Sequence, residues 1–305
     1  MLAMDVLQRR IGEGIMAFPA TPFRPDLSLD QPRLEEHVAA LASHNPTALV
    51  AAGGAGEIFS LSLAEHELVV RVTVANAGGV PVIGGAAYGT VIAREMAQAV
   101  ERAGGDAVLL LPPYLVNSEQ EGLFRHVKAV AESVSIAVIP YSRDNAILSP
   151  QTMVRLAESC PNVIALKDGT GDVGAISALK RQAGDRLVIV NGAPTAEVLA
   201  PRLKMLGVLS YSSAVFTFLP PLARTFFQAL RADDVALTER ILHVFYRPLV
   251  ELRRRRHGYS VSIVKAGLRV CQHPAGPVRP PLTDLEADEE QLLSELVAKA
   301  SQWSC

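Results

Sequence analysis

The chain has 305 residues, 49% of them hydrophobic, and a formal net charge of −2. That length suits one large α/β domain or two average ones, and the charge argues against nucleic acid or an anionic membrane as the main partner. No apolar run approaches the ~18 residues that cross a bilayer, and Met1 to Gly14 lacks a signal-peptide core. Cys160, Cys271 and Cys305 have no close pairs, so they read as reduced thiols of a cytoplasmic protein, not as a zinc or disulfide framework.

Short β-rich runs recur along the chain: Gly14–Phe18, Ala48–Ala52, Val80–Gly84, Ala107–Leu111, Ile136–Pro140, Val163–Lys167, Leu187–Asn191 and Val208–Tyr211. They are near-continuously apolar, as parallel strands buried on both faces are, and each connection is long enough for a crossover helix. Ser62-Leu63-Ala64-Glu65 and Ser118-Glu119-Gln120-Glu121 match the capping box, and Ser149-Pro150 sets a capping hydroxyl before a proline at the first helical position. Asp30 and Thr90 are weaker helix starts. After Tyr211 the β signal stops. Pro220–Leu230, Asp234–Leu252 and Ser260–Val270 read as helices, Pro274–Pro281 breaks the chain, and Glu286–Trp303 forms a final amphipathic helix.

This alternation predicts a (β/α)8 TIM barrel over residues 1–230, followed by a C-terminal helical extension over 231–305. The alternative is a doubly wound open sheet, but no Gly-x-Gly-x-x-Gly follows the first strand. The arginine run Arg253–Arg256 reads as a solvated helix face; an anion site or a subunit contact is the competing reading.

In a barrel, chemistry collects where strands end. Lys167 closes the sixth run, where desolvation favours its neutral amine and makes it a candidate Schiff-base nucleophile; the bland alternative is a lysine opening a surface loop. Tyr141 follows the fifth run and is either a proton carrier or an interface aromatic. Arg143 carries a fork that suits the distal carboxylate of a substrate, or else it pairs locally with Asp144. Gly53, Gly54 and Ala55 follow the second run and offer free backbone amides, or only a tight turn. Glu57 reads as a loop anchor or helix cap. Asn191 and Ser210, at the seventh and eighth runs, are further candidate substrate contacts. The histidines lack ligand spacing, so no metal site is expected. An amine, a phenol, amides and an arginine around one mouth suit a 2-oxo acid.

The strings Phe18-Pro19-Ala20-Thr21-Pro22-Phe23 and Gly53-Gly54-Ala55-Gly56-Glu57, with Tyr141 and Lys167, resemble the pyruvate-type class I lyases of the dihydrodipicolinate synthase and N-acetylneuraminate lyase superfamily. Longer strings, including Leu109-Leu110-Leu111-Pro112-Pro113-Tyr114-Leu115, Tyr141-Ser142-Arg143-Asp144-Asn145 and Lys167-Asp168-Gly169-Thr170-Gly171-Asp172, are similar to its 5-dehydro-4-deoxyglucarate dehydratase branch. The resemblance implies that Lys167 forms the Schiff base, Tyr141 shuttles protons and the glycine-rich turn holds the substrate carboxylate. It also implies a small 2-oxo-3-deoxy sugar diacid as substrate, no metal or organic cofactor, and a homotetramer built from dimers. The synthase branch has threonines where Gly54 and Ala55 stand and a second tyrosine where Leu115 stands, so its proton relay is not available to this chain. The dehydratase branch usually keeps a threonine at Ala55 and an asparagine at Ser142. An aldolase on the same scaffold and a non-catalytic 2-oxo-acid-binding barrel are the alternatives.

Overall fold

The computed structural model describes residues 2–303, and Cys305 lies outside them. Eight parallel strands close into a barrel in sequence order: β1 (Ile15–Ala17), β2 (Ala48–Ala51), β3 (Val82–Ala86), β4 (Ala107–Leu110), β5 (Ala137–Ser142), β6 (Ala165–Asp168), β7 (Val188–Asn191) and β8 (Tyr211–Ser213). The closed barrel sets aside the open-sheet alternative. Successive side chains alternate between two environments, as the period of a strand requires. Met16, Val50, Ile83, Leu109, Ile139 and Val190 fill the barrel interior. Leu49, Val108, Val138 and Leu166 point outward to the helices that wrap it.

Helix starts follow local chemistry at most of the expected places. Ser62 and Glu65 form the capping box, Ser149 Oγ accepts from the Thr152 amide, and Asp30 accepts from Arg33. Ser118 does not cap. The helix Gln120–Ala131 begins after Glu119 with no side-chain cap. Its first residue instead fastens the next unit, because Gln120 accepts from the Ser149 amide and donates to the Ile147 carbonyl. Thr90 is the first helical residue rather than the cap, and its hydroxyl meets His126 Nδ1. The eighth strand starts later than its apolar run suggests. The Val208 amide closes the preceding helix on the Leu203 carbonyl, which leaves Tyr211 to begin the ladder.

The helix Met4–Gly12 was not anticipated from the sequence. Leu7 and Ile11, one turn apart, are fully buried and close the barrel floor. Gln8 donates to the carbonyls of Ile164 and Arg186, and Arg10 to that of Thr47, all just ahead of strands.

The last barrel helix is Pro220–Arg231. The expected helix over 234–252 runs as Val235–Ile241, a π-helical turn at Leu242–Tyr246, and Arg247–Arg254. Pro248 has no amide to donate to the Val244 carbonyl, so the wider turn sits where the α ladder is already broken. The helix Tyr259–Val270 carries Lys265, whose ammonium lies 2.7 Å from the Glu57 carboxylate with both groups fully buried. Glu57 also accepts from the Arg279 amide, and the Arg279 guanidinium grips Glu65. The glycine-rich turn after β2 is thereby fastened to the C-terminal helices, and Glu57 acts as an anchor. No helix among the described residues is long and apolar enough to cross a membrane.

Candidate active site

Lys167 and Tyr141 are register partners on β6 and β5, both turned into the barrel near its carboxyl end. The Lys167 ammonium nitrogen lies 3.8 Å from the centre of the Tyr141 ring and 4.6 Å from that of Phe18. No carboxylate pairs with it among the described residues. Burial pulls its pKa from 10.5 to about 7, and the charge of Arg143 adds to the effect. An amine in this setting is substantially neutral near neutrality, as a carbonyl nucleophile must be.

Tyr141 donates to the Gly192 carbonyl at 2.6 Å and accepts from Arg143 Nη1 at 3.3 Å. Burial raises its phenol pKa, and Arg143 works against that rise. Position 192 has to be glycine: a Cβ there would fall 2.6 Å from Lys167 Cγ and 2.8 Å from a Tyr141 ring carbon. The bare backbone lets lysine and tyrosine share one narrow space.

Gly54 and Ala55 line the cavity, and neither amide donates to another backbone group among the described residues. Gly53 stands behind them. A Cβ on it would fall 2.9 Å from the Phe18 ring, so it sets the turn's approach and does not line the cavity. Arg143 lines the cavity, but its Nε is spent on Asp144 at 2.6 Å, so the local pair is present as well.

Asn191 and Ser210 do not face the cavity, which corrects the sequence reading. Asn191 is paired in register with Asp168, on the outward face, and its amide holds the Ala196 carbonyl while its oxygen accepts from Ala193. Ser210 sits at the floor, bonded to the Ile11 carbonyl. Ser212, two residues on and therefore on the same face one layer higher, reaches the mouth. The Ser142 hydroxyl also points away, accepting from the Leu148 amide.

The cavity is about 370 Å³ and extends from Lys167 to the C-terminal helices. Two of its charged residues were not singled out individually in the sequence. Glu197, on the loop after β7, is buried with one oxygen on Ser213 at 2.5 Å and the other without a hydrogen-bond partner among the described residues. Burial pushes its pKa up from 4.5 to about 7. Arg253 also lines the cavity, which corrects the reading of the whole arginine run as a solvated face. The available signal was its place one helical turn after the buried Leu249.

Residues 12–300 match the dihydrodipicolinate synthetase family. The chain is 50% identical over 294 residues to a protein of Rhizobium rhizogenes named "Probable 5-dehydro-4-deoxyglucarate dehydratase", covering 96% of this chain and 97% of that one. A protein of the same name from Saccharopolyspora erythraea is 49% identical over 290 residues, covering 95% and 94%. Among solved structures, dihydrodipicolinate synthase from Bacillus clausii is 27% identical with a TM-score of 0.89, covering 97% of this chain and 99% of that one. The synthase from Acinetobacter baumannii, solved in complex with pyruvate, is 28% identical with a TM-score of 0.81, covering 95% and 99%. The barrel, its carboxyl-end lysine and tyrosine, and these matches agree: the chain belongs to the dihydrodipicolinate synthetase family.

Proposed function

We propose that the chain is a Schiff-base-forming dehydratase and decarboxylase that converts 5-dehydro-4-deoxy-D-glucarate to 2,5-dioxopentanoate, water and carbon dioxide. The observation that carries this reading is Lys167: a buried amine with its pKa drawn to about 7, packed on Tyr141 at the closed end of a cavity. The name carried by relatives at 45–50% identity supports the choice of substrate.

Lys167 adds to the ketone and loses water to give an iminium. Tyr141, held between Gly192 and Arg143, carries protons between amine, departing hydroxyl and substrate. The iminium acidifies the neighbouring methylene, and the resulting enamine expels the hydroxyl on the next carbon as water. The conjugated iminium that remains accepts the electron pair of the bond to the distal carboxylate, releasing carbon dioxide and leaving a dienamine. Protonation and hydrolysis return the lysine and free the product. The Gly54 and Ala55 amides hold the carboxylate beside the ketone. Arg143, fixed against Tyr141 and close enough to Lys167 to depress its pKa, serves the reacting end.

In this reading residues 1–230 form the catalytic body and 231–305 close one wall of its cavity. The enzyme is cytoplasmic, serves glucarate breakdown and assembles as a homotetramer. Tyr114, Leu115 and Val116, 67%, 79% and 55% exposed on the loop after β4, support self-association.

Borohydride trapping with pyruvate, followed by peptide mass mapping, is expected to place the adduct on Lys167 and to give none in Lys167→Ala. Absence of an adduct in the wild type rejects every Schiff-base reading. Carbon dioxide release from 5-dehydro-4-deoxyglucarate then separates the dehydratase from an aldolase, which would release pyruvate from a 2-oxo-3-deoxy sugar acid.

A further inference from the structure

Four consecutive arginines, Arg253–Arg256, leave the helix Arg247–Arg254, and they differ in one respect. Arg254 pairs with Glu251 at 3.6 Å, Arg255 with Glu289 at 4.0 Å and Arg256 with Glu286 at 2.9 Å. Arg253 alone of the four has no carboxylate within ion-pair distance among the described residues. It is also the one that lines the cavity above Lys167.

Arg253 is nonetheless held in place. Its Nη1 donates to Thr195 Oγ1 at 2.5 Å, on the loop after β7. Thr195 is itself fixed at a positive φ of 51°. The π-helical turn at Leu242–Tyr246 lies just upstream, and beyond it Leu249 and Arg253, one helical turn apart, both line the cavity. Glu197 stands nearby, but its carboxyl bonds to Ser213, it makes no ion pair with Arg253 among the described residues, and burial raises its pKa to about 7, so it is mostly protonated only below neutrality. Burial and the neighbouring Arg254 both disfavour the charge on Arg253, and Glu197 favours it, the weakest of the three influences. The protein thus keeps a guanidinium in its cavity, orders it and leaves it without a fixed counter-charge. An anionic ligand group completes the pair.

The other cavity arginine is committed elsewhere. Arg143 is tied to Asp144 and Tyr141, and it lies near enough to Lys167 to lower that amine's pKa. Arg253 stands on the C-terminal helix Arg247–Arg254 and is tied to the loop after β7, whereas Lys167 sits within the barrel on β6, so the two cations mark opposite ends of the cavity.

We infer that Arg253 binds the carboxylate at the far end of the substrate, so that the C-terminal helical region sets the preference for 2-oxo diacids over 2-oxo monoacids. The inference rests on the dehydratase reading for the identity of the diacid. Leu249, Val261 and Leu282 also line the cavity, so once the charged carboxylate has become neutral carbon dioxide it meets apolar walls that do not hold it. The group that anchors the substrate is then the group the reaction removes. The product lacks the anchor and leaves more readily, and Arg253 contributes to KM more than to kcat.

The test compares wild type, Arg253→Gln and Arg253→Lys by borohydride trapping at Lys167, using pyruvate and 2-oxoadipate, a six-carbon 2-oxo diacid. Arg253→Gln is expected to raise the half-saturating concentration of 2-oxoadipate about thirtyfold or more, the loss seen on removing one partner of a buried charge pair. Pyruvate, which does not reach Arg253, is expected to move less than about threefold, and this also reports an intact fold. Arg253→Lys is expected to fall between wild type and Arg253→Gln for the diacid. Equal shifts for both acids, or no shift for 2-oxoadipate, overturn the inference. A wild type that traps both acids but releases no carbon dioxide from 5-dehydro-4-deoxyglucarate overturns the dehydratase reading instead, and the 2-oxoadipate comparison still decides the role of Arg253.

Discussion

Lys167 owes its proton affinity to its neighbours more than to its own chemistry. Apolar packing makes the charged form costly, and Arg143 adds repulsion from the side of Tyr141. Below pH about 7 the amine takes up its proton, so imine formation is expected to fall about tenfold per pH unit on that side. Arg143→Gln removes the cation that disfavours protonation. It therefore raises the lysine pKa and moves the acid limb of the trapping rate to higher pH, a shift that a purely structural role would not produce. Tyr141→Phe leaves the lysine buried but deletes the proposed proton carrier, with an expected loss of about 10²–10⁴ in kcat. The lysine and tyrosine were legible in the sequence because each ends an apolar run. Asn191 and Ser210 were misjudged for a different reason. Strand side chains alternate faces, so a small uncertainty in where β7 and β8 end moves a residue from the cavity to the outer layer or to the floor.

Strands buried on both faces announce themselves by composition, which is why all eight were found before their register was known. The helix Met4–Gly12 offered only Leu7 and Ile11 one turn apart among charged residues, too little to mark it as the floor of a barrel. Arg253 was hidden by its own neighbours, since a run of four arginines resembles a wet helix face until packing selects one of them. Glu57 and Lys265 show how tightly the late helices depend on the barrel. Their 2.7 Å pair is fully buried, and Lys265 also donates to the Pro277 carbonyl over the Phe23 ring. Lys265→Met leaves the buried Glu57 carboxylate without its ammonium, with only the Arg279 amide still donating to it, and is expected to cost about 3–5 kcal/mol in denaturant unfolding. The double replacement with Glu57→Leu is expected to recover much of that loss, because no unpaired charge remains.

The molecule divides its tasks between two ends. Ala52, Tyr88, Leu115, Asp144 and Thr195 follow β2, β3, β4, β5 and β7, and all five adopt positive φ, a conformation non-glycine residues rarely take. Backbone strain of this kind is concentrated at the mouth, where the proposed chemistry sits. The exposed Tyr114–Val116 loop rises from the same end, and Leu115→Asp is expected to shift sedimentation velocity toward smaller species if this loop joins the subunits. The opposite end is a sealed floor. The Leu2 amide reaches Asp106 just ahead of β4, and the helix that follows it stoppers the barrel with Leu7 and Ile11. Leu2 therefore lies on the far side of the molecule from Lys167. A tag, a fusion partner or a solid support attached there stands behind the catalyst, and substrate approaches from the open side.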